Sequence, residues 1–364
     1  MAVNWPDMRR TILACLFVAG ATAQAFGQQA TPSRFALDTS AAVDETVDGK
    51  GNYTTGVIMD GVLSVDLGGG VQAIVRPFVQ RLASTGEWNK QVWVAELRYE
   101  RPGPVGLRVE AGLIPSPIGL ANLTLRPHLN PTIAQPASLF TRLPPLAGLR
   151  GPGANLIGAV YPYGAQVTVS GVHWDARGAI MDTAPMRVRR IFAEANPPRF
   201  TNVVFGAGVT PFVGFRVGTS VTHGGWLRAG ESPVVTADHD ATVFTIETDL
   251  SFLYTKLSGE WVRDSVGTDT GDRAATGWFV QGQQTLTPRW FLAGRIERLS
   301  SPAIISATLI DQQQLTGAQE TLGYRLTPEI TLRIEHRIRK PFSAGPAGYG
   351  HSGAVSVVWW KRWL

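Results

Sequence analysis

Arginine and glutamate recur at every second position in several short stretches of this chain. In ITLRIEHRIRK (330–340), Arg333, Glu335, Arg337 and Arg339 alternate with Leu332, Ile334 and Ile338. Glu96 and Arg98 alternate with Trp93, Ala95, Leu97 and Tyr99. Arg108 and Glu110 alternate with Leu107, Val109 and Ala111, and Arg76 stands in VQAIVRPFVQR (71–81). Side chains two apart on an extended chain share one face. These groups therefore form charged rows opposite apolar rows. Such rows do not make or break bonds; they attract and orient ions and polar solutes, and rings of arginine favour anions.

A second charged group lies in residues 118–153. This segment carries Arg126, His128, Arg142 and Arg150 and no Asp or Glu. It is also greasy for a connection, with Leu120, Leu123, Leu125, Leu129, Ile133, Leu139, Phe140, Leu143, Leu146 and Leu149. Exposed loops are seldom so apolar, and long ones tend to be functional. The expectation is that it folds back onto an inner wall and narrows an interior; capping a mouth or packing on a neighbouring subunit is the alternative. Opposite these cations stand Glu96, Glu110, Glu297 and Glu335, so the expected anion preference is weak.

Other chemistry is thin. The six histidines are dispersed, and no Cys–His or His–Glu group has metal-ligand spacing, so neither metal nor cofactor is expected. ADHDA (237–241) places His239 between two aspartates, which leaves an enzyme with a site on the loops as a second reading. GLRGPG has no strand–helix context for a phosphate cradle, and no serine sits in a nucleophile elbow. No catalytic residue is assigned.

The elements that must carry these residues are strands. Segments of about ten alternating residues follow one another, as in VIMDGVLSVDL (57–67), QVWVAELRYE (91–100) and VFTIETDLSFL (243–253). Glycine is abundant, with 40 residues, which favours tight turns. Short turns are read at 67–70, 101–106, 161–164, 210–214, 253–255, 287–289 and 327–329. Long connections are read at about 44–55, 83–90, 117–153, 176–200, 227–242, 264–274, 300–316 and 340–352. QVTVSGVHW (166–174) is taken as one strand, and RRIFAEANP (189–197) as part of the fourth long connection. The count is sixteen strands, seven short turns and eight long loops. Long loops at one rim and short turns at the other are the pattern of an outer-membrane barrel.

The N-terminus supports export. Arg9 and Arg10 precede the apolar run 11–21 and then Ala23-Gln24-Ala25, the layout of a secretory signal peptide cleaved near Ala25. The one cysteine, Cys15, lies within it. No run of 18 apolar residues follows, so no helix is expected to span a membrane. The reading is a signal peptide over 1–25 and one domain over 26–364. That domain is an all-β, transmembrane, antiparallel up-and-down barrel of about 16 strands with an inward-folded third external loop. A soluble sandwich shows the same alternation and is the competing architecture. The register argues for lipid outside: each arginine turned into hydrocarbon at mid-membrane costs roughly 2–4 kcal/mol. Trp93, Tyr99, Trp290, Trp359 and Trp363 are assigned to the interfacial girdle. The net charge of +5 is carried mainly by scattered arginines, without the helix or arm clusters of a nucleic-acid binder.

LRVEAGLIPSPIGLANL (107–123) resembles the strand and Pro-Gly element before the constriction loop of Gram-negative porins, most of all the phosphate-selective group. AVSVVWWKRWL (354–364) resembles the last strand of outer-membrane barrels, although it ends Trp363-Leu364 instead of on an aromatic residue. The resemblance implies a homotrimeric channel in outer-membrane lipid with loop three inside the pore. It would pass small hydrophilic or anionic solutes by diffusion, and a non-conducting structural or adhesin barrel is the third reading. Candidate pore-lining residues are Arg76, Arg98, Arg108, Glu96, Glu110, Arg126, His128, Arg142, Arg150, Arg333, Glu335 and Arg337. The phosphate porins' arginine ladder and lysine cluster have no clear counterparts in this sequence.

Overall fold

Sixteen strands close on themselves in chain order. A computed structural model describes residues 34–82, 86–120, 125–144, 154–158, 161–187, 200–231, 235–269, 271–306, 309–343 and 348–363. The expected signal peptide and Arg150 fall outside them. The strands are β1 (Phe35–Asp48), β2 (Tyr53–Gly68), β3 (Val71–Arg81), β4 (Trp88–Arg101), β5 (Gly106–Leu113), β6 (Tyr163–Ser170), β7 (Trp174–Met181) and β8 (Asn202–Phe212). They continue with β9 (Phe215–Leu227), β10 (His239–Phe252), β11 (Thr255–Val266), β12 (Arg273–Thr285), β13 (Trp290–Ser306), β14 (Leu309–Arg325), β15 (Ile330–Lys340) and β16 (Gly350–Arg362). Each pairs antiparallel with its neighbours, and β1 pairs β16 from Asp38↔Arg362 to Asp48↔Ser352. Closure leaves no strand edge unpaired. Among the described residues, no helix is long and apolar enough to cross a membrane.

Period two sorts the side chains into an inner and an outer face. Leu322, Ile334 and Val355 are register partners and exposed; Thr321, Glu335 and Ala354 are partners one step away and buried. Leu97, Phe205 and Ile246 are likewise exposed, while Glu96, Val204 and Glu247 beside them are buried. The buried polar row meets described residues of the connection between β5 and β6, as at Glu260, Glu297 and Glu335, and the exposed apolar row is the outer one.

The rims differ as expected in kind but not in every boundary. Connections at one rim are short, at 69–70, 102–105, 171–173, 213–214, 253–254, 286–289 and 326–329. Gly69 and Gly70 take φ of 64° and 83°, which favours glycine. In two Thr-Pro turns the hydroxyl holds the bend: Thr287 Oγ1 accepts from Trp290 N at 3.0 Å, and Thr327 Oγ1 from Ile330 N at 3.1 Å. The third Thr-Pro lies inside β8, beside a register irregularity between Val209 and Phe212.

Several sequence boundaries move. The expected turn at 161–164 is not a turn: the connection after β5 runs to residue 162, and the reversal comes at 171–173. QVTVSGVHW is therefore split between β6 and β7. Its Gly-Val-His turn carries neither Pro nor Asn-Gly, the usual punctuation. β13 reaches Ser306 and β14 starts at Leu309, so the expected loop at 300–316 is mostly strand. The first connection is only 49–52, tied by Asp48 Oδ1 accepting from Lys50 N and Asn52 N at 2.8 and 2.9 Å. RRIFAEANP lies outside the described residues.

Candidate functional site

The described residues between 114 and 162 are held on the inner wall by hydrogen bonds from their own backbone. Three amides reach wall carboxylates: Leu120 N to Glu260 Oε2 at 2.5 Å, Ile133 N to Glu335 Oε2 at 2.6 Å, and Ala137 N to Glu297 Oε2 at 2.8 Å. Ala137 opens the single turn α1 (Ala137–Phe140), so Glu297 meets one of its unpaired N–H groups. Two wall arginines satisfy carbonyls. Arg333 Nη1 donates to Asn130 O at 2.7 Å and Thr132 O at 2.9 Å; Arg295 Nη2 donates to Ala134 O at 2.7 Å. Charged donors and acceptors make the stronger class of hydrogen bond. They suit a segment that lacks sheet partners of its own.

Arg126 reaches β1 and β2, beyond β16 from the β15 anchors. Its Nε meets Asp60 Oδ1 at 2.9 Å and its Nη2 meets Asp38 Oδ1 at 2.8 Å. Asp60 also accepts from Arg76 Nε at 2.7 Å, so one carboxylate is held between two guanidinium groups. Trp360 Nε1 donates to Asp38 at 2.8 Å, and His128 stacks on Trp360 at 5.2 Å. Burial, then the adjacent Arg126 cation, pushes the His128 imidazole down to about 4, so it is neutral at pH 7.

Apolar packing accompanies these anchors. Phe78 stacks on Trp93 at 3.5 Å between ring centroids, and Trp93 on Tyr161 at 4.8 Å, with the Arg76 guanidinium 5.0 Å from the Trp93 ring. Trp93 thus faces inward, against its expected place in the outer girdle. The β3–β4 register shifts between Arg76 and Pro77. One extra residue on β4 reverses the alternation there. Proline 77 has no N–H for the ladder.

The remaining wall charges pair among themselves. Arg98 Nη2 lies 2.7 Å from Glu96 and 2.9 Å from Glu110, and Arg108 Nε lies 2.8 Å from Glu100. Arg337 Nη2 meets Glu335 at 2.7 Å. Arg216 holds Asp175 with two bonds of 2.8 Å and Glu247 with one of 2.9 Å; Arg177 reaches Glu247 at 3.1 Å. Gly206 and Gly218 make room for this network. An added Cβ would fall 2.7 Å from Arg177 Nε at the first and 2.8 Å from Glu247 Oε1 at the second.

The structure therefore gathers Arg126, His128 and Arg76 with Asp38 and Asp60, and Arg98 with Glu96 and Glu110. It gathers Arg333 and Glu335 with the loop backbone, and Arg337 joins them through Glu335. Arg108 joins the second group only through Glu100. Arg142 stands apart, exposed, its backbone in an isolated bridge with Asn155. Among the described residues Arg142 makes no ion pair. Lys256, exposed on the same face of β11 as Glu260, makes none either. Sequence reading missed Asp38, Asp60, Lys256, Arg295 and the Asp175–Arg216–Glu247 group. Nothing local marks them: Arg216 and Asp175 are 41 residues apart, and Arg126 and Asp60 are 66 apart.

His239 is the first residue of β10, and its partner is not a neighbour in ADHDA. Its Nε2 lies 2.5 Å from Asp269 Oδ1, while Asp238 accepts from Ala229 N at 2.8 Å. The Thr236 backbone N–H and then His239 hold the Asp269 carboxyl below the usual range. Asp264, expected at the start of the connection at 264–274, lies buried in β11 and accepts from Ala275 N at 2.8 Å. Among the described residues no group of three or more His, Cys, Asp or Glu could hold a metal ion.

The fold is that of the porin barrels. Over 90% of its length the chain aligns with 97% of OmpF from Salmonella typhi, solved with daunomycin, at TM-score 0.60 and 9% identity. It aligns with the outer membrane channel DcaP of Acinetobacter baumannii at TM-score 0.58 and 9% identity, covering 93% of this chain and 100% of that one. The anion-selective porin from Comamonas acidovorans aligns at 0.56 and 12% identity, covering 90% and 98%. An OmpT structure from Vibrio cholerae, an outer membrane protein in trimer form, aligns at 0.57 and 8% identity, covering 90% and 99%. No protein-family profile matches the sequence, and no curated protein does.

Proposed function

We propose that the protein is an outer-membrane channel through which small hydrophilic solutes diffuse passively, with a weak preference for anions. One observation carries the reading: a closed barrel with an exposed apolar outer face and a charged, largely paired inner face. Leu97, Phe205 and Ile334 are 56%, 65% and 63% exposed. So broad an apolar belt needs a hydrocarbon solvent, and contiguous apolar surface of that size is rare on soluble monomers. Trp290, Trp359, Trp363 and Tyr99 then serve as girdle residues, and residues 1–25 as the export signal.

Anion preference is supported by Arg142 and Lys256, which make no ion pair with a carboxylate among the described residues. It is weak because Arg76, Arg98, Arg126, Arg177, Arg216 and Arg337 are paired with carboxylates. For the same reason the likeness of residues 107–123 to the phosphate-selective porins supports a channel with an inner loop more than phosphate selectivity. A homotrimer is part of the proposal.

Single-channel recording in a planar bilayer tests it. Stable steps are expected, with a reversal potential in a KCl gradient on the chloride side of zero. A sealed bilayer overturns the channel, and cation selectivity overturns the charge argument. Arg142→Glu should move the reversal potential toward potassium. Arg126 is a poorer probe, because its removal strands Asp38 and Asp60. The His239–Asp269 contact favours a second reading, an enzyme at the rim with the longer connections; a hydrolytic activity lost in His239→Ala would establish it. A barrel that folds, inserts and never conducts would instead favour a structural or adhesin role.

A further inference from the structure

We infer that the outer face of β11–β13 binds the phosphate headgroup of an anionic lipid near the long-loop rim, with Arg263 and Arg298 as its two cations. The inference rests on the reading of the outer face as lipid-covered and adds a specific ligand to it. Parity points both arginines outward. Arg263 follows the buried Val262 and shares a face with the exposed Leu257; Arg298 stands between the buried Glu297 and Leu299 and shares a face with the exposed Ile296. In the register Trp261, Trp278 and Arg298 form one row, and Arg263, Thr276 and Ser300 form the next. Leu257, Val280 and Ile296 lie one step below the first row, toward the short turns, and all are exposed. The apolar belt thus ends in two tryptophans, with the arginines at its edge and two hydroxyls beside them. A lipid-facing arginine costs least at that height.

No carboxylate on this face answers the two charges. The acids of β11–β13 are Glu260, Asp264 and Glu297, and all three are buried on the inner side. On the flanking strands, Asp240 of β10 lies 3.8 Å from His223, and Glu320 of β14 lies 3.1 Å from His336. Among the described residues neither arginine makes an ion pair; Arg298 Nη2 donates to Gln314 Oε1 at 2.6 Å. Strands are about 4.8 Å apart, so the two Cα atoms, two strands and two residues apart, are separated by roughly 12 Å. Two long side chains can close that span on one phosphate group, and the planar guanidinium suits phosphate oxygens. Ser300 Oγ accepts from Gln312 Nε2 at 2.8 Å, so its own hydrogen is left to donate. Below, Phe244 and Trp261 pack edge to face at 6.1 Å and continue the apolar surface on which acyl chains lie. A free anion gains nothing from that surface; a lipid uses both it and the cations.

Lipid titration followed by native mass spectrometry tests this. The protein in neutral detergent is titrated with lipid A, a glycolipid carrying two phosphates, and with its dephosphorylated form. The wild type should retain lipid A at least tenfold more tightly than the dephosphorylated lipid. Arg263→Gln/Arg298→Gln should lose at least tenfold in affinity for lipid A, and each single variant should lose part of it. Lys361→Gln, at the short-turn end of β16, should bind as the wild type does. Heat-modified migration in gels checks that the variants are folded. Equal retention of lipid A by the folded double variant overturns the inference, as does equal retention of the dephosphorylated lipid. Displacement by millimolar inorganic phosphate overturns the lipid assignment and leaves a free-anion site. Loss of oligomer mass in the double variant overturns it as well, by giving this face to a second copy of the chain. Bilayer recording on the same samples keeps the two readings apart. Stable steps without lipid A binding overturn the lipid site alone; lipid A binding with a sealed bilayer overturns the channel alone.

Discussion

Arg333→Met isolates what the seat of the inner segment contributes. The arginine is 4% exposed; its Nη1 donates to two loop carbonyls at close range, on Asn130 and Thr132, and to Pro127 O at 3.4 Å, while Nη2 donates to Ser356 Oγ at 3.1 Å. Methionine fills much of the same volume but donates nothing. Each buried carbonyl left unpaired costs about 1–3 kcal/mol, so the pair costs about 2–6 kcal/mol. Water entering between loop and wall lowers that figure toward the smaller end. The strands should stay closed, because no β15 ladder bond involves this side chain. The expected signature is therefore split. Heat-modified migration in detergent gels should stay close to wild type. Hydrogen–deuterium exchange should rise selectively over residues 125–144. Exchange there equal to wild type would refute the reasoning, since the anchoring bonds would then contribute nothing. A collapse of the whole barrel would refute it differently, by showing that the loop and wall form one cooperative unit.

Three further outcomes follow from the same geometry. Trp93→Ala removes the middle ring of a three-ring stack and should destabilise the folded barrel by about 3–5 kcal/mol, read as a lower melting temperature in detergent; a change below about 1 kcal/mol would show that the cavity collapses freely. Gly218→Ala should push Arg216 off Glu247 and cost about 1.5–3 kcal/mol, the range for a hydrogen bond to a charged group; chemical denaturation measures it, and neutrality would mean the network re-forms. The depressed Asp269 carboxyl links Thr236 and His239 across two connections. Because its folded value is lowered, the link is intact above the ordinary carboxylate value near 4 and loosens as pH falls below it; faster exchange of the Thr236 amide at pH 3 than at pH 6, corrected for intrinsic rates, is expected.

The barrel was legible in the chain because its cause is local. A side chain's face is fixed by its parity along a strand, and Arg333, Glu335, Leu332 and Ile334 declare that parity without any partner. The exceptions arose where alternation was interrupted by something that one strand does not display. Trp93 is placed by a register shift against β3. The turn at 171–173 carries no turn-forming pair, and Asp264 reads as loop only because Asp269 and Asp272 follow it.

The interior was less legible. Its composition was plain: a long, apolar, acid-free segment needs cover, and arginines beside glutamates will pair. Which carboxylate takes which guanidinium is a different matter. Asp60 joins Arg76 and Arg126 from three separate places in the chain, and Glu335 meets the Ile133 amide 202 residues away. Local periodicity determines what each strand shows to either side. Ring closure alone decides what meets inside, because it brings distant strands within hydrogen-bond reach and leaves their unpaired charges no other partners.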